Sequence, residues 1–268
     1  MRENENKDTP PPPTTPLGEN PPTGAVLDYW LAEAPAGPVG LVVKDAAGRV
    51  VRQFSSDDPP DSLAAEFRYF ERGWLGKAPQ IETMPGMHRF VWDLRLPRPK
   101  ALSYEYSIAA VWHVGTPLEP RGPLVLPGRY TVTLTAGGKS HSAPLVVRLD
   151  PRVRVTLAAL KAQLELLQAM DSTLDAAVAA HAEIAPALAK KGSLAPGVAD
   201  SLSAIDGGTN GISGVAGTLA SLITAVGGAD GAPTQGDRAA FAEYRARLDG
   251  LLARWRRLEG TAGNVTGN

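Results

Sequence analysis

Two segments of alternating apolar and polar residues constrain what this chain can fold into. Segment 86–94 reads GMHRFVWDL and segment 127–134 reads PGRYTVTL, and a turn glycine stands at the start of each. Alternation puts every second side chain on the same side of a strand, so that one face is apolar and the other polar. The pattern is typical of antiparallel sheets that bury one face in a core. Small domains of this kind usually hold or bind something and seldom carry out chemistry.

The same pattern predicts seven short strands before residue 150, with glycine- and proline-rich turns between them. Turns at 45–49 and 137–138 predict two hairpins. A long insertion covers 57–85, and its segment 62–70 has helical spacing. The predicted strands are 25–32, 39–44, 50–55, 88–94, 107–110, 128–135 and 140–149. Strands of this number and spacing predict an antiparallel β-sandwich of immunoglobulin or fibronectin-III type over residues 24–150.

Composition changes near Pro151, after which alanine and leucine dominate. Apolar residues then recur at spacings of three and four, as in amphipathic helices, within 157–178, 212–226 and 241–258. We expect Asp171 to interrupt the first stripe, Pro186 to end or kink that helix, and the GGTNG loop at 207–211 to interrupt the middle helix. The stripes predict an antiparallel helical hairpin or three-helix bundle over residues 151–260. The expected fold class is therefore α+β and multidomain.

Composition also limits the function classes. The proline-rich segment 1–23 and the tail 261–268 are predicted to be disordered, and the first reads as a linker. A net charge of −1 gives no sign of a nucleic-acid partner. The absence of cysteine excludes disulfides, thiolate metal sites and a cysteine nucleophile. No apolar run approaches the roughly 20 residues of a membrane span, and the N-terminus has no hydrophobic signal core.

Polar motifs that could carry chemistry are few. The SSDD segment at 55–58 could offer oxygen ligands to Ca²⁺, but the two prolines that follow favour a strand-ending turn. Asp93 with Arg95, and Asp150 with Arg152, are candidates for ion pairs at strand ends. The four histidines are scattered, without metal-ligand spacing: His88, His113, His141 and His181. We therefore predict no catalytic, metal-binding or cofactor-binding residue.

Aromatic residues are numerous in the first half of the chain. Trp92 alternates with Phe90 on the apolar face of a predicted strand, so we expect it in the core. Tyr104, Tyr106 and Trp112 flank an irregular segment bounded by prolines, where partial exposure is expected. Together with Trp74 of the insertion they are the candidate ligand or docking contacts. Exposed aromatics of this kind can stack on sugars, and otherwise they pack against another protein.

Several segments, taken together and in order, carry a family resemblance. They are NPPTGA at 20–25, SSDD at 55–58, GMHRFVWDL at 86–94, GPLVLPGRY at 122–130 and LDPRV at 149–153. In these the chain resembles, from about residue 16 onward, the C-terminal region of large bacterial proteins with sortilin-like or sialidase-like (BNR-repeat) β-propellers, often labelled glycosyl hydrolases. The chain itself has no recurring propeller repeat or Asp-box-like motif, so the hydrolase label transfers to none of its residues.

The resemblance implies an accessory module that docks on a propeller, in cis or in trans, or on another protein. It also implies a periplasmic or extracellular setting, although the chain begins without a signal peptide. The leading hypothesis is a non-catalytic interaction module of an exported propeller protein. The alternative is a carbohydrate-binding β-sandwich that uses exposed aromatics, and a more remote one is a glycoside hydrolase. No cofactor is expected.

Overall fold

The computed structural model describes residues 14, 16, 22–59, 79–106, 118–190 and 197–263, with side chains up to Glu259. It has the α+β architecture that the sequence predicts, with strands before Pro151 and helices after it. Contacts between Cα atoms divide the chain into two compact units. One is Met1–Arg98 with Glu105–Leu160, and the other is Pro99–Tyr104 with Lys161–Asn268. We call them the β unit and the helical unit.

Every strand pairing among the described residues of the β unit is antiparallel. Four strands form a sheet of order β3-β2-β7-β8, β1 and β4 form a two-stranded ribbon, and β5 pairs with β6. The strands are β1 (Ala25–Leu31), β2 (Gly40–Asp45), β3 (Val50–Ser55), β4 (Gly86–Trp92), β5 (Glu105–Tyr106), β6 (Leu118–Glu119), β7 (Gly128–Ala136) and β8 (Lys139–Val147). Six predicted strands are thereby confirmed within about two residues. The expected strand at 107–110 and the helical segment at 62–70 lie outside the described residues.

Both predicted hairpin turns are confirmed. Between β2 and β3 the Gly48 N–H donates to the Asp45 carbonyl at 2.9 Å, and Gly48 takes a φ of +78°. Between β7 and β8, Gly137 and Gly138 take φ values of +54° and +76°. Such positive φ values are costly for residues with a Cβ, so glycine at these positions fixes where each hairpin turns.

One apolar cluster is shared by the four-stranded sheet and the ribbon. Trp92 of β4 is fully buried and meets Tyr130 of β7 edge-on, with ring centroids 6.0 Å apart. The Trp92 indole N–H donates to the Arg95 carbonyl at 3.0 Å, so its polar edge is satisfied inside the core. The buried members are Tyr29, Leu31, Val39, Leu41, Val43, Ile81, Phe90, Trp92, Tyr130 and Val132. The prediction that Trp92 and Phe90 belong to the core is confirmed.

The described part of the helical region holds four helices, not the two or three that the sequence predicts. They are α1 (Leu157–Ala189), α2 (Val198–Asp206), α3 (Ile212–Gly227) and α4 (Gln235–Gly263). The predicted glycine break at 207–211 is confirmed and separates α2 from α3. Gly208 takes a φ of +70° there, and a Cβ on Gly211 would meet the Gly207 carbonyl at 2.3 Å. A side chain at position 211 would therefore force this loop to rearrange.

Asp171 and Pro186 both lie inside α1. Asp171 does not interrupt the buried stripe, because Met170 continues it from Leu167 to Leu174 and all three are buried. Pro186 does not end the helix at its own position, since α1 continues to Ala189. A proline near the C-terminal end of a helix removes one backbone hydrogen bond of the last turn. The rest of the helix keeps its hydrogen bonds, so the helix can continue past the proline.

A reciprocal pair of hydrogen bonds caps the start of α4. The Thr234 N–H donates to the Asp237 carboxylate at 2.7 Å, and the Asp237 N–H donates to Thr234 Oγ1 at 3.1 Å. This reciprocal pair satisfies two backbone donors that a helix start otherwise leaves without partners.

All four helices contribute to a second apolar cluster, which lies in the helical unit. Two polar side chains of α1 bond to the ends of other helices in this unit. Gln163 of α1 donates its amide to the carbonyls of Val226 and Ala229 at the end of α3. His181 of α1 contacts the carboxylate of Asp206 at the end of α2. The Gln163 amide thus bonds to carbonyls that the end of α3 leaves without helical partners. His181 likewise provides a partner for the buried carboxylate at the end of α2.

Candidate functional site

The outward side of the β1–β4 ribbon is the most prominent surface feature of the β unit. Tyr29 and Leu31 turn into the core, so the alternate residues of β1 face outward. The register places Val26 opposite Val91, Asp28 opposite Arg89 and Trp30 opposite Met87. We call these six side chains the ribbon face.

Large apolar side chains of the ribbon face lie in water. Trp30 is 63% exposed and Met87 is 72% exposed, although the two are direct cross-strand neighbours. Val26 is exposed as well, and so is Met84, just before β4. Single exposed apolar residues are ordinary on protein surfaces, whereas adjacent large ones mark sites that another surface covers. The ribbon face is therefore the candidate binding surface.

An ion pair lies at the centre of the ribbon face. Arg89 donates to the Asp28 carboxylate through Nε at 2.8 Å and through Nη2 at 3.1 Å. The hydrogen bond from Arg89 holds the pKa of Asp28 below its ordinary value, so this carboxylate stays ionised in weakly acidic solution. Such an exposed pair adds little to stability. Because the two charges already satisfy each other, a partner that covers them does not have to supply counter-charges.

The residues predicted as ligand or docking contacts do not assemble into one surface among the described residues. Tyr104 is half-buried, and its hydroxyl donates to the Pro99 carbonyl at 2.8 Å and accepts from the Ala101 N–H. Tyr106 is 7% exposed, so the expectation that it is partly exposed is wrong. Its place on β5, paired with buried Leu118, accounts for this burial. Trp74 and Trp112 lie outside the described residues.

Trp30 is not among the contacts predicted from the sequence, because Tyr29 and Trp30 are adjacent aromatics on one strand. A signal was present in the same strand. Trp30 shares its face with Asp28, whereas Tyr29 shares the other face with Leu27 and Leu31. Since a strand turns its more apolar face inward, the aspartate marks the side of Trp30 as the outer one.

The SSDD segment forms the predicted strand-ending turn. The Ser55 N–H donates to the Asp58 carboxylate at 2.7 Å, the Asp57 N–H donates to Ser55 Oγ, and Ser56 Oγ accepts from the Val39 N–H. Across the described ranges, no three histidine, aspartate or glutamate side chains converge as metal ligands. Nor does any helix in those ranges have the length and apolarity needed to cross a membrane.

Both predicted aspartate–arginine pairs bring their two residues into contact. Arg152 donates to the Asp150 carboxylate through Nη2 at 2.6 Å, which is the predicted ion pair. The Arg95 backbone N–H donates to Asp93 Oδ1, while the Arg95 guanidinium donates to the Gly122 carbonyl at 2.8 Å. These contacts fix turns at strand ends, a structural role that accounts for both sets of charges.

Asp171 is the carboxylate with the most unusual surroundings. Its Oδ1 atom is shielded from water and accepts no hydrogen bond from the described residues. Burial raises the pKa of Asp171 from its ordinary 3.8 to about 7, and the negative charge of Asp175 one turn along α1 adds to the effect. The folded protein therefore keeps this proton at pH values where the unfolded chain has lost it.

We expect Asp171→Asn to stabilise the helical unit in a pH-dependent way. The contribution of Asp171 to stability is highest below the ordinary carboxyl pKa and falls as pH rises toward 7, because unfolding then releases the proton that the folded state holds. Asparagine removes this loss, so the variant should exceed the wild type by about 2 kcal/mol at pH 8, allowing for partial solvent screening, and by much less at pH 4. Urea unfolding at both pH values measures the difference.

Glu165→Gln provides the matched control on the same helix, because Glu165 is exposed. Its carboxylate lies 3.9 Å from Lys161 Nζ, and an exposed ion pair of this kind adds little to stability. This control should change the free energy of unfolding by under about 0.5 kcal/mol at either pH. A constant difference between Asp171→Asn and the wild type from pH 4 to pH 8 would contradict the assignment.

Comparison with known proteins gives no relative from which a function could be carried over. No protein family, curated protein or solved structure matches this chain. Its function has to be inferred from its own surface and from the sequence resemblance.

Proposed function

We propose that the chain is a non-catalytic accessory module that docks on another protein through the ribbon face. The supporting observation is the exposed cross-strand pair of Trp30 and Met87 around the Asp28–Arg89 ion pair. Tryptophan, methionine and arginine are enriched in protein interfaces, and tryptophan and arginine often dominate their binding energy. A folded strand pair also presents these side chains with little further loss of entropy on binding.

The sequence resemblance supplies the proposed partner, a sortilin-like or sialidase-like β-propeller in cis or in trans, and with it a periplasmic or extracellular setting. The β unit is proposed to be a β-sandwich of immunoglobulin or fibronectin-III type. In its favour, residues of the ribbon and of the four-stranded sheet share one buried cluster. The helical unit is proposed to be a small bundle, because its four helices likewise share one cluster.

Docking is favoured over the alternative of carbohydrate binding. Sugar stacking on a sandwich face calls for several exposed aromatics in one groove, and Trp30 is the strongly exposed aromatic of the described residues. The neighbour of Trp30 across the ribbon is a methionine, which suits an apolar protein surface better than a sugar ring. A glycoside hydrolase remains the more remote alternative, since no observation favours it.

Calorimetry of the chain with the propeller region encoded upstream or nearby in its genome tests the proposal. We expect binding with a negative heat-capacity change, as apolar surface is buried. Trp30→Ala should weaken this binding about 30-fold, the loss of roughly 2 kcal/mol that is typical of an interface anchor. Its melting temperature should stay close to that of the wild type, because the side chain lies in water.

Val50→Ala is the matched control, since Val50 is an exposed apolar residue on β3, in the other sheet. Its affinity for the propeller region should equal that of the wild type. Equal losses of affinity for Trp30→Ala and Val50→Ala would show that the ribbon face is not the interface. Absence of propeller binding together with a signal on a glycan array would replace docking by sugar recognition.

A further inference from the structure

Helices α1 and α4 leave a groove between them in the helical unit, with a volume of about 320 Å³. Its floor is apolar, formed by Ala169 and Ala176 of α1 and by Leu248 and Leu252 of α4. Its rim on α4 carries Arg245 and Asp249. The groove thus combines a narrow apolar strip with one charge of each sign.

Hydroxyl groups in this groove already donate their protons within α1, so they can offer a ligand only acceptor oxygens. Ser172 donates to the Gln168 carbonyl at 3.0 Å, and Thr173 donates to the Ala169 carbonyl at 2.8 Å. Both bonds lie within α1, one turn back. Recognition in the groove therefore depends on the apolar strip and on the two charges at its rim.

Arg245 and Asp249 form no ion pair with any described residue, although they lie one turn apart on α4. The neighbouring Arg247 differs, because it donates to Glu243 at 2.9 Å and to Asn210 at 2.9 Å. Within a helix, an acidic residue pairs best with a basic residue four positions later, and Arg245 and Asp249 have the reverse order. These two charges are placed to pair with a second surface.

We propose that a second copy of this chain docks on the groove face, with Arg245 of each copy paired to Asp249 of the other. Two α4 helices related by a two-fold axis near residue 247 run antiparallel, so that both ion pairs form at once. The same axis sets Ala242 of one copy opposite Leu252 of the other, and apolar contacts then flank the charges. Arg238 and Arg256 lie about 13 Å from the axis, where crossing helices diverge.

Charge reversal tests this arrangement directly. Sedimentation velocity of the full chain across the micromolar range should show a monomer–dimer equilibrium. Arg245→Asp places two aspartates face to face and should weaken the dimer at least about 10-fold, and Asp249→Arg should do the same with two arginines. The doubly reversed variant should recover at least part of this loss, because opposite charges face each other again across the axis. Its acidic residue now precedes its basic residue by four positions, so pairing within each helix competes and recovery should stop short of the wild type.

An equimolar mixture of the two single variants sharpens the test, since one presents two acidic groups and the other two basic groups. The mixture should form a heterodimer where each variant alone is monomeric. Arg254→Asp is the matched control, because Arg254 is exposed on another side of α4. A wild type that stays monomeric throughout, or single variants that neither the double reversal nor mixing rescues, would overturn the proposal. Neither result bears on the ribbon face, which lies in the β unit.

Discussion

Replacing Trp92 by alanine is expected to lower the free energy of unfolding of the β unit by about 3–5 kcal/mol. Trp92 is the largest of the fully buried side chains, and its removal would leave a cavity beside Tyr130. It would also leave the Arg95 carbonyl without the indole donor that now lies 3.0 Å away. Both effects lower the free energy of unfolding. Urea unfolding followed by far-ultraviolet circular dichroism measures the change.

Trp30→Ala is the control for this prediction, because it makes the same chemical change on the same ribbon. Trp30 lies in water, so its loss should change the free energy of unfolding by no more than about 0.5 kcal/mol. The two variants thus separate the inner and outer sides of one strand pair. A loss below about 1 kcal/mol for Trp92→Ala would refute the assignment of Trp92 to the core.

The second large effect is expected at His181. Its Nδ1 atom lies 2.9 and 3.0 Å from the two oxygens of Asp206, which is only 4% exposed. Since a carboxylate only accepts hydrogen bonds, Nδ1 carries the hydrogen of this contact. His181→Ala would strand a buried negative charge at the C-terminal end of α2, where the helix dipole disfavours it. We expect a loss of about 3 kcal/mol in the stability of the helical unit.

A double-mutant cycle with Asp206→Asn checks the cause. When Asp206→Asn is already present, no charge remains to be stranded, so adding His181→Ala should cost only about 1 kcal/mol. Urea unfolding of the four proteins gives the coupling energy. A coupling near zero would show that the histidine contributes packing alone.

Much of the fold follows from the periodicity of apolar residues. Burial of one side repeats every two residues in a strand and about every 3.6 residues in a helix. Segments such as β4 and β7 were therefore predictable within about two residues. The pattern could not assign Pro99–Tyr104 to the helical unit, because its contacts are with residues distant in sequence. Ala101 packs against the helical cluster, and the Lys100 N–H lies 3.3 Å from Asp175 Oδ1.

The candidate site was harder to predict than the fold. Aromatic residues attract attention in a sequence, but their role depends on which side of the sheet they occupy. Tyr106 resembles a ligand contact in sequence and is buried beside Leu118, whereas Trp30 is the direct sequence neighbour of buried Tyr29 and is itself exposed. The helix count was underestimated because α2 has only nine residues, too few for a convincing stripe.

The polar side chains of Gln163 and His181 act on α1 in a way that apolar packing cannot. Apolar contacts have no direction, so a buried apolar cluster distinguishes one helix register from another, one turn or about 5.4 Å away, only through the fit of its side chains. Such a slip of α1 would leave the Gln163 amide, the carbonyls at the end of α3 and the Asp206 carboxylate without partners at the same time. Two polar contacts, eighteen residues apart on one helix, thereby add a directional penalty against other registers to the fit of the apolar core.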